Sequence, residues 1–374
     1  MQLLVVNGPN LNLLGVREPG VYGALSLGNL EGEWTSRAAQ LGIGLETFQS
    51  NHEGALIDAI QGAREQCDGI IINPGAYSHY SYAIHDALTA VSLPTVEIHI
   101  SNVQEREAWR STSVTAPAAD LVIFGRGAAG YLDAINHLWA ELSVPPDTVA
   151  YGPEPDQVID LRTPADSKGT VMLIHGGFWK VQWMRDIMDP LAVRLYEDGW
   201  TTANIEYRRG PGSYEHSLDD VARARSWLFD NAQQGDAEHV IQVGHSAGGY
   251  LAIRGAESDP RLTGTVGLAP VAAIVPISQA RPDDDPVSAY LGDTRDQSVE
   301  LWEDADPSGR AQSAVRLIHG VEDDDVPPAQ SELYRERSDN SVTVTMLPET
   351  GHMDLIDPDH SSFATLTAEL ASFD

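Results

Sequence analysis

Val240-Ile-Gln-Val-Gly244-His-Ser246-Ala-Gly-Gly-Tyr-Leu-Ala252 decides the fold of the larger part of this chain. An apolar run of strand length leads into Gly-x-Ser-x-Gly, and residues that suit a helix follow. Glycines flanking the serine permit a strained strand-to-helix turn that lifts its hydroxyl out at the end of a sheet. The bare pentapeptide is common by chance; the strand before it and the helix after it make it specific. Outward from it, Thr170–Ile174, Thr201–Ile205, Val240–Val243, Gly264–Leu268, Val315–Ile318 and Val342–Met346 read as strands separated by helical patterns, an α/β arrangement. The partners of such a serine follow it in the order acid, then histidine. Leu317-Ile-His-Gly-Val-Glu-Asp323-Asp-Asp-Val supplies the acid after a strand, and Glu349-Thr-Gly-His352 the base after the last strand. In this reading Ser246 attacks a carbonyl, His352 takes and returns the proton, and the acid fixes the imidazole tautomer. Asp323 competes for that place with Glu322, Asp324 and Asp325. His245 and His319 flank turns, and His360 lacks a preceding glycine, so they are weaker bases. His175-Gly-Gly-Phe-Trp179 follows another strand. The amides of Gly177 and Phe178, with that of Ala247, suit an oxyanion hole. Trp179, Trp183 and Tyr207 can line an aromatic pocket, although ordinary packing accounts for each equally well.

The first part of the chain carries a second, independent pattern. Leu3–Asn7, Leu45–Gln49, Gly69–Asn73, Thr95–His99 and Leu121–Phe124 read as strands. Leu27–Leu41, Ala55–Cys67, Tyr82–Val91 and Gly130–Leu142 read as amphipathic helices. Five strands alternating with helices give a flavodoxin-like parallel sheet, in which ligands bind outside the carboxyl ends of the strands. Polar motifs follow four of those ends, which argues for one composite site. Tyr22 lies five residues after Arg17, in a loop bounded by Gly and Pro. A phenol with a reference pKa of about 10 becomes a usable base when a guanidinium favours the phenolate. Glu97 and His99 stand two apart on a strand and so share a face; the carboxylate can orient the imidazole as a general acid. Asn73, just past an apolar strand, can hold a hydroxyl or a water.

Bulk properties narrow the field. With 374 residues and 42% hydrophobic content, the chain has material for two cores. Ser143-Val-Pro-Pro-Asp-Thr-Val-Ala-Tyr-Gly-Pro-Glu-Pro-Asp156 breaks helix and strand alike. The expected division is therefore 1–142, a Pro-rich linker over 143–157, and 158–374. A net charge of −32 repels nucleic acid and anionic membranes. No apolar run is long enough for a bilayer, and Met1-Gln-Leu-Leu-Val-Val reads as a first strand rather than a signal peptide. A single cysteine, Cys67, excludes an internal disulfide framework and fits a reducing cytoplasm. The first 142 residues hold six arginines and no lysine, which excludes Schiff-base chemistry there. Three of the six, Arg17, Arg106 and Arg110, sit in motif-bearing loops and point to an anionic small-molecule ligand.

Asn7-Gly-Pro-Asn-Leu-Asn-Leu-Leu-Gly, Arg17-Glu-Pro, Tyr22-Gly, Ser50-Asn-His-Glu-Gly, Ile72-Asn-Pro-Gly-Ala-Tyr and Glu97-Ile-His-Ile-Ser-Asn together resemble type II 3-dehydroquinate dehydratase over residues 1–142. That resemblance implies anti elimination of water from 3-dehydroquinate through an enolate, without metal or cofactor. It implies Tyr22 as base, activated by Arg17, and His99, supported by Glu97, as acid. Asn73 would hold the water that stabilises the enolate. Asn10, His79, Asp86, Ile100, Ser101 and Arg110 would bind substrate, and Arg106 would help close the lid. It also implies a homo-oligomer, a dodecamer assembled through this part. His85 and Gln104 depart from the family, which often carries Arg and His there. Residues from about 150 to the end resemble the α/β-hydrolase fold, near the kynurenine formamidase and feruloyl-esterase-like group, through His175-Gly-Gly-Phe-Trp, Asn204-Ile-Glu-Tyr-Arg208 and Gly244-His-Ser-Ala-Gly-Gly. The resemblance of His319-Gly-Val-Glu-Asp323-Asp-Asp-Val-Pro to that fold's acid loop favours Asp323 over its neighbours. The expected function is a bifunctional enzyme acting on 3-dehydroquinate and on an ester or amide. Rival readings are an inactive oligomerising first part, an arylformamidase-like amidase, and a hydrolase part that only binds.

Overall fold

The computed structural model describes residues 1–15, 25–231, 239–338 and 342–373. It forms two compact units, Met1–Pro145 and Pro146–Asp374. Arg17 and Tyr22 fall outside the described residues.

In the first unit β1 (Gln2–Asn7), β2 (Gly44–Gln49), β3 (Gly69–Asn73), β4 (Thr95–His99) and β5 (Leu121–Phe124) make one parallel sheet in the order β2-β1-β3-β4-β5. Residues of β1 alternate between faces. Leu3 and Val5 join Trp34, Tyr131 and Ile135 on one side, while Leu4 and Val6 join Leu56, Ile60 and Ile84 on the other. Ile70-Ile71-Ile72 is wholly buried because helices cover both faces of the sheet. The helix Leu27–Gln40 starts at Ser26, whose hydroxyl accepts from the Asn29 amide in a capping box. From β1 the chain steps outward to β2 and then crosses back past β1 to β3, so the strand order reverses there and the crevice above β1 and β3 is the topological switch point.

The second unit has an eight-stranded sheet in the order β13-β12-β11-β10-β8-β9-β7-β6. Its strands are β6 (Asp147–Ala150), β7 (Val158–Arg162), β8 (Thr170–Ile174), β9 (Thr201–Ile205), β10 (Val240–His245), β11 (Gly264–Leu268), β12 (Ala314–Gly320) and β13 (Val342–Leu347). The pairings β6–β7 and β7–β9 are antiparallel, and the rest are parallel. The Pro-rich stretch is thus corrected in part: β6 lies inside it, and the helix Ala129–Ser143 runs up to its first residue. The four prolines, at 145, 146, 153 and 155, all flank β6 and leave its own four residues free to pair. Residues 269–313, between β11 and β12, carry three short helices, Ile274–Ala280, Pro286–Leu291 and Val299–Ala305. Among the described residues no helix is long and apolar enough to cross a membrane.

Candidate active sites

The first site is a cavity of about 200 Å³ at the carboxyl ends of β1, β3 and β4. Asn10, Asn73, His79, His99, Ile100, Ser101, Arg106 and Arg110 line it. In-register pairing sets Asn7 beside Asn73 at the ends of neighbouring strands. The Tyr131 hydroxyl, from the helix Ala129–Ser143, joins them: it donates to Asn7 Oδ1 at 2.7 Å and accepts from Asn73 Nδ2 at 2.9 Å. Burial pushes the Tyr131 phenol well above its usual pKa, so it remains a protonated donor. Its ring stacks on Trp34 at 4.2 Å. The oxygen of the Asn73 amide is also engaged, since Oδ1 accepts from the Gly75 amide at 3.2 Å.

His99 Nε2 donates to Glu97 Oε1 at 2.7 Å. The carboxylate is fully buried and further tied down by the Ser113 hydroxyl on Oε1 (2.7 Å) and the Thr115 hydroxyl on Oε2 (2.5 Å). With Nε2 committed, Nδ1 is the nitrogen left for a ligand. Ser113, Thr115 and Tyr131 were not singled out in the sequence; they lie far from the motifs, and only the fold brings them in.

Arg110 stacks over the exposed Trp109 ring at 4.0 Å and bonds Glu107 at 2.9 Å. Arg106 reaches toward Ser101. Of the expected binding residues, Asp86 is the exception. It lies exposed beside His85, off the buried stripe Ile84, Ala87, Leu88 and Val91 of its helix, and is not part of the cavity lining. That stripe packs on the sheet, so helical phase turns residue 86 outward.

In the second unit Ser246 sits between β10 and the helix Ala247–Ser258 with φ 57° and ψ −117°. Such a left-handed φ is costly for serine and persists only where surroundings enforce it. The glycines around it explain how. A Cβ on Gly248 would lie 2.1 Å from the Ile174 carbonyl oxygen, and one on Gly176 would lie 2.8 Å from Ser246 Cβ. His352 Nδ1 donates to Asp323 Oδ2 at 2.7 Å, while Asp323 Oδ1 accepts from the Asp325 and Val326 amides. Burial raises the Asp323 pKa, but hydrogen bonds from His319 and His352 outweigh it and hold the carboxyl well below the usual range. The structure therefore joins Asp323, and not its acidic neighbours, to His352.

The loop after β8 is wound left-handed over three residues, Gly177 (φ 104°), Phe178 (φ 50°) and Trp179 (φ 55°). Trp179 is buried, stacked on Tyr290 at 4.1 Å. Tyr207 is also buried; it stacks on His175 at 4.4 Å and donates to the His175 carbonyl. These two aromatics belong to the packing that fixes the loop. His175 Nε2 donates to Glu206 Oε1 at 2.9 Å, and Arg209 does so at 2.6 Å. Burial opposes ionisation of Glu206, yet His175 and Arg209 lower its pKa to about 2. Residues 175 and 206 meet because Ile174 and Ile205 are register partners at the ends of adjacent strands.

One parallel and one mostly parallel sheet, each with polar groups gathered at strand carboxyl ends, define a two-site α/β enzyme. Residues 1–139 match the family described as dehydroquinase class II, and residues 159–337 match the family described as BD-FAE. Catabolic 3-dehydroquinase of Aspergillus oryzae is 53% identical over 136 residues, which is 36% of this chain and 89% of that protein. The 3-dehydroquinate dehydratase of Dinoroseobacter shibae is 51% identical over 143 residues, 38% of this chain and 95% of its own. Among solved structures, esterase B from Lactobacillus rhamnosis superposes with a TM-score of 0.54 at 22% identity, covering 66% of this chain and 94% of that one. Through its first part the chain belongs to the dehydroquinase class II family, and its second unit has the α/β-hydrolase fold.

Proposed function

We propose that the chain dehydrates 3-dehydroquinate to 3-dehydroshikimate in its first unit and hydrolyses an ester by a serine mechanism in its second. In the first reaction the Tyr22 phenolate, stabilised by Arg17, removes a proton from C2. The electrons collect on the C3 carbonyl oxygen as an enolate, which a water held by Asn73 stabilises. His99, oriented by Glu97, then protonates the hydroxyl leaving C1, and water departs. Arg106 and Arg110 offer positive charge for the substrate carboxylate, with Asn10, His79, Ile100 and Ser101 on its hydroxyls. The observation that carries this reading is the buried Glu97–His99 pair opening onto a cavity that also holds Asn73 and two arginines. Mixing the protein with 3-dehydroquinate and following the ultraviolet absorbance of the conjugated enone tests it. Equal turnover by wild type and Tyr22→Phe would instead favour the first unit as an oligomerising scaffold.

In the second unit Ser246 adds to the substrate carbonyl and His352 takes its proton. Asp323 holds the imidazole, and the amides of Gly177, Phe178 and Ala247 receive the oxyanion. The Asp323–His352 contact at 2.7 Å supports these roles. Fusion to a dehydroquinase motivates esters of quinate or shikimate, including hydroxycinnamoyl esters, as substrates. Release of a hydroxycinnamic acid from such an ester is the test. Turnover of an aryl formamide in its place would make the unit an amidase.

A further inference from the structure

His245, the residue before the nucleophile, is used by neither reaction as described, and its surroundings are unusual. Its ring is buried to 1% exposure. Its Nε2 lies 3.0 Å from the main-chain oxygen of His352, and the two imidazoles stand 4.5 Å apart, tilted by 44°. A carbonyl oxygen only accepts, so Nε2 carries the hydrogen and Nδ1 is a bare acceptor. Nδ1 is buried and has no hydrogen-bond partner among the described residues. It faces the loop after β8, where a Cβ on Gly176 would come within 3.2 Å of it. One side chain thus adjoins the nucleophile covalently and the base by a hydrogen bond, and it stands next to the start of the loop after β8.

We infer that His245 is a positioning residue of the hydrolase site, which tethers the main chain of His352 to the turn that carries Ser246. The inference rests on the serine-hydrolase reading above. Asp323 grips the His352 ring only at Nδ1, so the ring can still swing about that bond. Fixing the main chain at residue 352 removes that freedom and sets Nε2 of His352 against the serine. The groups that bear on His245 are His352, Asp323 and His319; burial first, and then the charge of His352, hold its pKa well below the ordinary histidine value. Nε2 carries a hydrogen in the neutral and the protonated ring alike, so the tether to the His352 carbonyl rests on geometry rather than on titration. An apolar residue in its place would leave the His352 carbonyl without that donor.

Labelling by a fluorophosphonate tests this without knowledge of the natural ester. Ser246 Oγ bonds to phosphorus, fluoride leaves, and the serine proton passes to His352. The maximal labelling rate and the half-saturating probe concentration are measured for wild type, His245→Gln, His245→Asn and His245→Leu, with thermal unfolding as a control. The glutamine amide nitrogen reaches the position of Nε2, and the asparagine amide does not. A misplacement of about 1 Å in a catalytic group lowers rates about 100-fold. The expected result is a fall of that order in maximal rate for Asn and Leu, an unchanged half-saturating concentration, and recovery by Gln to within about tenfold of wild type. Should Leu fail to fold, the comparison of Gln with Asn decides. Labelling of wild type together with equal rates in the Leu variant, or a Gln variant no faster than Asn, overturns the role of His245 alone. A wild-type protein that is not labelled at Ser246 overturns the hydrolase reading and this role with it.

Discussion

Tyr131→Phe isolates one atom whose loss has a calculable result. The phenylalanine ring keeps the stack on Trp34, so only the hydroxyl and its two hydrogen bonds disappear. What remains is an acceptor, Asn7 Oδ1, and a donor, Asn73 Nδ2, both buried. Each group left unpaired would cost about 1–3 kcal/mol. Acceptor and donor sit on paired residues of adjacent strands, however, and can close on each other, which recovers one bond. Neither group is then left unpaired, and the net loss is one hydrogen bond, about 0.5–1.5 kcal/mol. For a unit of this size about 1 kcal/mol moves the midpoint by roughly 2–4 °C, so a fall of about 2–5 °C is expected. The closing motion also turns the Asn73 amide from its place in the cavity lining, and kcat for dehydration falls while the rest of the lining is kept. The assay is the temperature at which half the dehydratase activity is lost, with kcat and KM measured at 25 °C; using activity avoids treating a two-unit chain as one transition. A variant within about 1 °C of wild type and with the same kcat would refute the claim that this hydroxyl holds Asn73 in place.

Four further outcomes follow, three from the second unit and one from a helix of the first. Asp323→Asn removes the charge that pairs with His352, and the rate of fluorophosphonate labelling at Ser246 should fall about 10⁴-fold by analogy with other triads, with no effect on dehydration. Glu206 has a lowered folded-state pKa, so its contribution to stability is full above the unfolded carboxyl value of about 4.3 and is lost as pH falls toward about 2. Urea midpoints of the second unit should consequently fall between about pH 5 and pH 3 by the equivalent of roughly 1–2 kcal/mol more in wild type than in Glu206→Gln. Gly248→Ala drives a methyl into the Ile174 and His175 carbonyl oxygens and should leave the second unit insoluble or unfolded by circular dichroism. Gly62→Ala, in the helix Glu53–Ala63 with open space around its Cβ position, should raise stability by about 0.5–1 kcal/mol in the same measurement.

Much of this was legible in the chain because the signals are local. Ile70-Ile71-Ile72 can only be a covered strand, and Gly244-His-Ser-Ala-Gly-Gly carries its own turn chemistry. The five strands of the first sheet and the six parallel strands of the second were each found to within about two residues, as expected of such boundaries. What escaped was whatever depends on partners far away in sequence. The strand β7 was hidden because Asp160 and Arg162 look like surface residues. They are buried, and Arg185 and Asp189 compensate them. Ser113, Thr115 and Tyr131 look like ordinary loop and helix residues until the sheet brings Glu97 and Asn73 against them. The Glu206–His175 pair had a signal that went unused, since both residues stand one position past the ends of strands that pair in register. Asp86 was named by family motif alone, and within one chain it lies exposed and outside the cavity lining.

The stack of Trp179 on Tyr290 joins the oxyanion loop to the helix Pro286–Leu291 in the connection after β11. If that connection is exchanged to fit a different acyl group, the change also releases the loop whose amides, under the serine mechanism proposed above, receive the oxyanion. Selectivity and rate are therefore coupled through one pair of rings, and variants that retarget this enzyme will have to keep Tyr290, or supply another flat surface in its place, before their turnover says anything about fit.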